Sequence, residues 1–247
     1  MQQETWLSRT ALLLGEDSLT ALSGARVALL GLGGVGGAAA EALARSGIGS
    51  LLLVDHDTVE LTNLNRQLLA TRDTLGLSKA QAARQRILSI NPDADVQIRE
   101  EFYLPDNCEF LYEYKPDFVL DAIDTVTAKL HLAQRCHQQG IPLLMCLGTG
   151  NRLDPSQLRI GDISQTAKQG GCPLARVMRR ELPRRGVSRQ DVLYSLEPPR
   201  KPMAPPDAEH GRHPPGSTAF VPPAAGLLMA SYTVRCLLNR QTYHTGF

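Results

Sequence analysis

Little in this sequence serves a disulfide or a zinc ion. The five cysteines (Cys108, Cys136, Cys146, Cys172 and Cys236) are odd in number, and no two form a CxxC pair. Nothing in that spacing resembles a disulfide framework. Cys136, Cys146 and Cys236 read as small buried hydrophobes. The net charge is only +1, so affinity for nucleic acid has to come from a local patch. The first residues, MQQETW, lack the basic-then-apolar pattern of a secretion signal. The longest apolar run, near the C-terminus, reads as too short and too interrupted by proline to span a bilayer. A cytoplasmic location without a membrane partner is the expectation.

What the chain does have is a stretch, residues 26–79, around which the rest is organised. Residues 27–30 read as a short buried strand, Gly31, Gly33, Gly34 and Gly36 follow, and a helical run begins at Val35. Glycines at a strand-to-helix turn let backbone N–H groups close on phosphate oxygens, and the helix N-terminus adds partial positive charge. A second strand, 51–54, runs into Asp55, where a carboxylate would meet a ribose hydroxyl. Asn63, Arg66 and Lys79 then gather an amide, a guanidinium and an ammonium beside the loop. Such a set suits a triphosphate, because it can draw off charge as the α–β bond breaks. FVLDAIDT (118–125) ends a strand with two carboxylates, and either Asp121 or Asp124 could hold Mg2+ near the phosphates. ATP with Mg2+, not NAD, is the expected ligand.

Further strands at 96–98, 118–120, 142–146, 157–160 and 192–195 alternate with helices at 79–89, 107–114, 125–139, 172–182 and 224–238. This alternation predicts an α/β, Rossmann-like, doubly wound and mainly parallel sheet. We expect a single domain: N-terminal helices over 1–22, a nucleotide-binding core over 23–152 and a substrate-side α/β extension over 153–247. Between Pro198 and Pro223 lie 9 of the 16 prolines. A segment so short of backbone donors is expected to be a mobile crossing loop, over about 198–216.

GLGGVG, VDHDTVELTNLNRQ, GLSKAQAARQRILSINPD and LDAIDT, in that order, resemble the ThiF/MoeB/HesA adenylating superfamily, whose core is shared with ubiquitin-activating enzymes. The resemblance covers nearly the whole chain. It implies that a substrate carboxylate attacks the α-phosphate of ATP, giving an acyl-adenylate and pyrophosphate. It implies that Asp124 is the carboxylate nearer the metal. It also implies a homodimer in which Arg9, from the N-terminal helix, crosses into the ATP site of the other subunit. Relatives that activate ubiquitin-like sulfur carriers often hold zinc with two CxxC pairs, which this chain lacks, so the resemblance implies no zinc site here.

RTALLLGEDSLTAL near the start, with NRLDPSQLRIGDISQT, PLARVMRREL, LYSLEPP and STAFVPPAAGLLMASYTV in the second half, resembles one branch of that superfamily. Its members are ATP-dependent dehydratases acting on threonylcarbamoyladenosine in tRNA. The resemblance implies adenylation of the threonyl carboxylate and ring closure by the neighbouring carbamoyl group, an intramolecular step that needs no cysteine nucleophile. A tRNA partner requires a basic surface. Arg176, Arg179, Arg180, Arg184, Arg185 and Arg189 stand within fourteen residues, opposed only by Glu181, and we expect them to contact the anticodon arm. Where relatives carry an acidic residue before Pro-Leu-Ala, this chain has Cys172 after Gly170-Gly171. That leaves open a sulfur-acceptor role, with a cysteine desulfurase as partner. His210, Arg212 and His213 are expected to close over the substrate. Three rivals remain: activation of a sulfur carrier ending in Gly-Gly, an NAD module, and a silent scaffold. The missing CxxC pairs count against the first, Arg66 and Lys79 against the second, and the complete polar set against the third.

Overall fold

An apolar run without alternation marks a strand covered on both faces, and β1 (Arg26–Leu30) and β2 (Ser50–Val54) are such strands. The computed structural model describes residues 4–167, 172–201, 203 and 215–244, with side chains as far as 239. Gly170, Gly171, His210, Arg212, His213 and most of the expected 198–216 loop lie outside these described residues. The remaining strands are β3 (Asp95–Arg99), β4 (Phe118–Asp121), β5 (Leu143–Cys146), β6 (Leu158–Asp162) and β7 (Asp191–Ser195). All seven join one sheet in the order β3-β2-β1-β4-β5-β7-β6. Neighbours are parallel throughout, except that β6 runs antiparallel to β7. The doubly wound, mainly parallel α/β sheet expected from the alternation is therefore present. Because β7 lies beside β5, the 153–247 part continues the same sheet.

Successive side chains of a strand point to opposite faces, and the core divides accordingly. Val27, Leu29, Leu51, Leu53 and Leu120 pack under α2 (Glu16–Gly24), α3 (Gly36–Arg45), α4 (Lys79–Leu88) and α8 (Val221–His244). Ala28, Leu30, Leu52, Val119 and Met145 pack under α5 (Glu109–Glu113), α6 (Val126–Gln139) and α7 (Pro173–Arg184). A short α1 (Ser8–Leu14) precedes them and rests on α2.

The last helix departs from expectation. It begins at Val221 and continues to His244, because Pro222 and Pro223 sit in its first turn, where no backbone N–H is needed. The stretch Val221–Asn239 is long and apolar enough to cross a membrane by length and composition, with mean hydropathy 1.2. The run is therefore not too short, as the sequence suggested. Half of that stretch is buried inside the fold, where Val221, Ala225, Met229 and Ala230 join the core. Gly226 makes the approach to α3 close: a Cβ there would lie 2.2 Å from the Val35 carbonyl oxygen and 2.9 Å from Ala38 Cβ. Gly226→Ala is expected to lower stability by about 1–3 kcal/mol through overpacking, measured as a shift in the urea unfolding midpoint at unchanged slope.

Candidate active site

Strand order reverses between β1 and β4, so the loops leaving their carboxyl ends diverge and open a crevice. A cavity of about 440 Å³ occupies it. Its near wall is the turn after β1. Gly31 has φ 89 and stands so close to the β4 loop that a Cβ would meet the Ala122 carbonyl oxygen at 2.7 Å. Only glycine meets both demands. Gly33 and Gly34 also line the cavity, whereas Gly36 does not. Gly36 lies behind the turn, where a Cβ would collide with the Gly31 carbonyl, so its part is to let α3 start directly against the loop.

Asp55 projects from the end of β2 and is nearly buried. One oxygen accepts the Leu32 N–H at 2.5 Å and the other the Asp57 N–H at 2.9 Å. The carboxylate thereby ties the glycine turn to the β2 loop and still borders the cavity. Asn63 is buried, and its side-chain oxygen accepts the Glu60 N–H, closing the short turn over Leu61–Asn63. Arg66 is held over this turn by the Thr62 carbonyl (2.9 Å) and Asn65 Oδ1 (2.8 Å). Lys79 opens α4, almost buried, with Nζ 2.7 Å from Asp57 Oδ2. Gln67 is also buried on the cavity wall, and its Oε1 has no hydrogen-bond partner. His56 and Phe102 stack with ring centroids 3.3 Å apart and planes inclined by 24°, and form an aromatic ledge on the rim.

The two carboxylates at and beyond the end of β4 point in different directions. Asp124 lines the cavity and is exposed. Asp121 is fully buried, with Oδ2 3.0 Å from Nζ of an equally buried Lys129. Lys129 also donates to the Cys146 carbonyl at 2.8 Å, and Asp121 Oδ1 accepts the Ile123 N–H at 3.1 Å. Asp121 Oδ2 has no well-aligned hydrogen bond, so attraction between charges holds that side of the contact. Burial pushes the Asp121 carboxyl up, and the Lys129 ammonium opposes this.

In the second half of the chain, Asn151 adopts a left-handed φ of 59 and gathers two distant stretches of chain. Its carbonyl accepts the Arg200 N–H (2.8 Å), its side chain the Gly216 N–H (2.7 Å), and its own N–H goes to the Gly216 carbonyl. Asn65, beside Arg66, reaches the Ser217 carbonyl at 3.0 Å. Cys172 caps α7, its Sγ accepting the Ala175 N–H at 3.3 Å, and packs against Gly148. The arginines of α7 divide in role. Arg176, Arg180 and Arg184 are exposed at four-residue spacing and so share one face. Arg179 turns inward to Thr166 Oγ1 (2.7 Å). Glu181 pairs with Arg180, Arg184 and Arg185, and the Arg185 and Arg180 guanidiniums hold its carboxyl down at about 2. Arg189 is exposed beyond the helix. Arg9 is exposed on α1 and does not line the cavity of its own chain.

The model of the ThiF family matches residues 7–246. The chain belongs to the ThiF family. Among relatives, the tRNA threonylcarbamoyladenosine dehydratase of Bacillus subtilis (strain 168) is 41% identical over 242 residues, covering 94% of each chain. The enzyme of the same name from Escherichia coli (strain K12) is 41% identical over 182 residues, 72% of this chain and 67% of that protein. The crystal structure of the E. coli enzyme in complex with ATP has a TM-score of 0.86 at 32% identity and covers 98% of this chain and 99% of that one.

In this ThiF-family chain Gly31, Gly33, Gly34, Asp55, Asn63, Arg66, Lys79 and Asp124 come together around one cavity. Asp57, Gln67, Phe102 and Thr149 join them there and had not been singled out. The repeated carboxylates of DHD and the amide ending NLNRQ carried signals for the first two. Asp55→Ala would strand the buried Leu32 N–H, and is expected to lower stability by about 1–3 kcal/mol, measured by urea unfolding without nucleotide.

Proposed function

We propose that the protein is an ATP-dependent dehydratase that cyclises threonylcarbamoyladenosine in tRNA. The observation that carries this is a single cavity presenting a glycine turn, Arg66, Lys79 and Asp124, in a chain 41% identical to a dehydratase of that name along 94% of both. The base of ATP has a stacking surface in the His56–Phe102 ledge, the ribose has Asp55, and the phosphates have the Gly31–Gly34 turn with Arg66 and Lys79. The threonyl carboxylate attacks the α-phosphorus. A P–O bond forms, the α–β bridge breaks, and pyrophosphate leaves as Arg66 and Lys79 take up the charge that develops. The carbamoyl group then attacks the acyl carbon, the ring closes, and AMP departs with one of the carboxylate oxygens. The net change in the nucleoside is the loss of one water.

Two exposed carboxylates of the cavity, Asp124 and Asp57, are hard oxygen donors and fit Mg2+. When bound, the ion neutralises phosphate charge. Lys79 must exchange its Asp57 contact for phosphate when nucleotide enters, which leaves Asp57 available to the metal.

The exposed arginine face of α7 supplies phosphate contacts for the anticodon arm of tRNA, a substrate compatible with a cytoplasmic location. A second copy of the chain covers Leu12 and Leu13 of α1, which are 86% and 83% exposed, and brings Arg9 to the other subunit's cavity.

Incubation with Mg-ATP and tRNA carrying threonylcarbamoyladenosine should yield a nucleoside lighter by one water, with AMP, in mass spectrometry. Arg66→Ala, Lys79→Ala and Asp124→Ala should each slow it by about 10²–10³-fold. An unchanged nucleoside, together with ATP–pyrophosphate exchange stimulated by a carrier ending in Gly-Gly, would sink the proposal. Charge reversal at Arg176, Arg180 and Arg184 should weaken tRNA binding and flatten its log–log salt dependence by ~0.9 for each lost phosphate contact. ATP binding should be untouched.

A further inference from the structure

Lys129 belongs to no part of the nucleotide site as described so far, yet its environment is costly to build. It is 0% exposed, in the first turns of α6, and its partner Asp121 is 0% exposed. A lysine is almost never fully buried unless paired, and a buried ion pair is seldom kept for stability, since well-packed apolar residues often do as well. What this pair does is geometric. Nζ joins the last residue of β4, through Asp121, to the last residue of β5, through the Cys146 carbonyl at 2.8 Å. Those are the two strands whose following loops supply Asp124 and Thr149 to the cavity. Asp121 in turn accepts the Ile123 N–H at 3.1 Å, which bends the chain immediately before Asp124. The same loop rests on the phosphate turn, with the Ala122 N–H donating to the Leu30 carbonyl at 2.8 Å and the Ala122 carbonyl packed on Gly31.

We propose that Lys129 is a positioning residue for the metal-binding carboxylate. By clamping the carboxyl ends of β4 and β5 together from beneath, it sets the place and direction of Asp124 against the glycine turn. Lys129 touches neither nucleotide nor metal, and acts through Asp121 and the Ile123 N–H. The proposal rests on the assignment of Asp124 to the Mg-ATP site made above.

The test measures ATP binding by calorimetry across a Mg2+ titration, a readout that needs no turnover, alongside thermal unfolding. Lys129→Met is expected to raise the Mg2+ concentration for half-maximal ATP affinity by about tenfold or more, as loss of support behind a metal ligand does. Metal-free ATP binding should change little. Leu132→Ala removes a fully buried side chain three residues further along α6 and lowers stability, but should leave the Mg2+ requirement within about twofold of the original. Asp121→Asn keeps an oxygen for the Ile123 N–H and loses the charge. It should shift the Mg2+ requirement in the same direction, by less, and it decides the matter if Lys129→Met does not fold. An unaltered Mg2+ requirement in the folded variants, or an equal change in Leu132→Ala, overturns the positioning role. Failure of the unmodified protein to bind ATP with Mg2+ dependence would instead overturn the nucleotide assignment itself.

Discussion

The whole site depends on how closely two backbones can pass at the point where the strand order turns back. The β1 turn and the β4 loop meet at Gly31 and Ala122 with no room for a methyl group between them. That contact brings the glycine turn and the carboxylate of Asp124 to the walls of one small space. The Asp55 carboxylate holds the turn from the β2 side through the Leu32 N–H, so the loop is fixed from two directions before any ligand arrives. Groups held in place in advance cost no reorganisation during reaction, which is what a rigid glycine turn contributes to the proposed site.

Much of this was legible in the chain because each signal is local. A strand running into glycines, a carboxylate at the end of the next strand, and NLNRQ followed by Lys79 all lie within about two supersecondary units, where spacing translates directly into position. The seven strands were legible for the same reason. Most of their apolar runs are short and bounded by turn residues, and the limits that moved by two residues or more are those of β6, α5, α7 and α8. In α8 the prolines were read as interruptions when they are the helix's own first turn.

Other features were hidden because they depend on which way a side chain turns. Asp121 ends β4 and Asp124 follows three residues on, and no pattern of residue types tells that one points into the core toward α6 and the other into the crevice. Lys129 was unreadable in a stronger sense. A single lysine in an amphipathic helix looks like a solvated charge, and its burial exists only because β4 and β5 end at the same height. The arginine run shows the converse. Six guanidiniums in sequence look equivalent, yet Arg179 is spent on Thr166 and Glu181 gathers three of its neighbours, leaving a narrower basic stripe than the count suggests.

The packing of α8 on α3 also bears on how the molecule is assembled over time. Residue 226 sits against residues 35 and 38, so the helix carrying the phosphate turn meets its covering helix only across most of the chain's length. Contacts of such large sequence separation close slowly, because the intervening chain must be ordered before they repay the loss of freedom. Until α8 arrives, the apolar face of α3 is open to solvent and to other chains. An early-made half with that face uncovered is prone to aggregation.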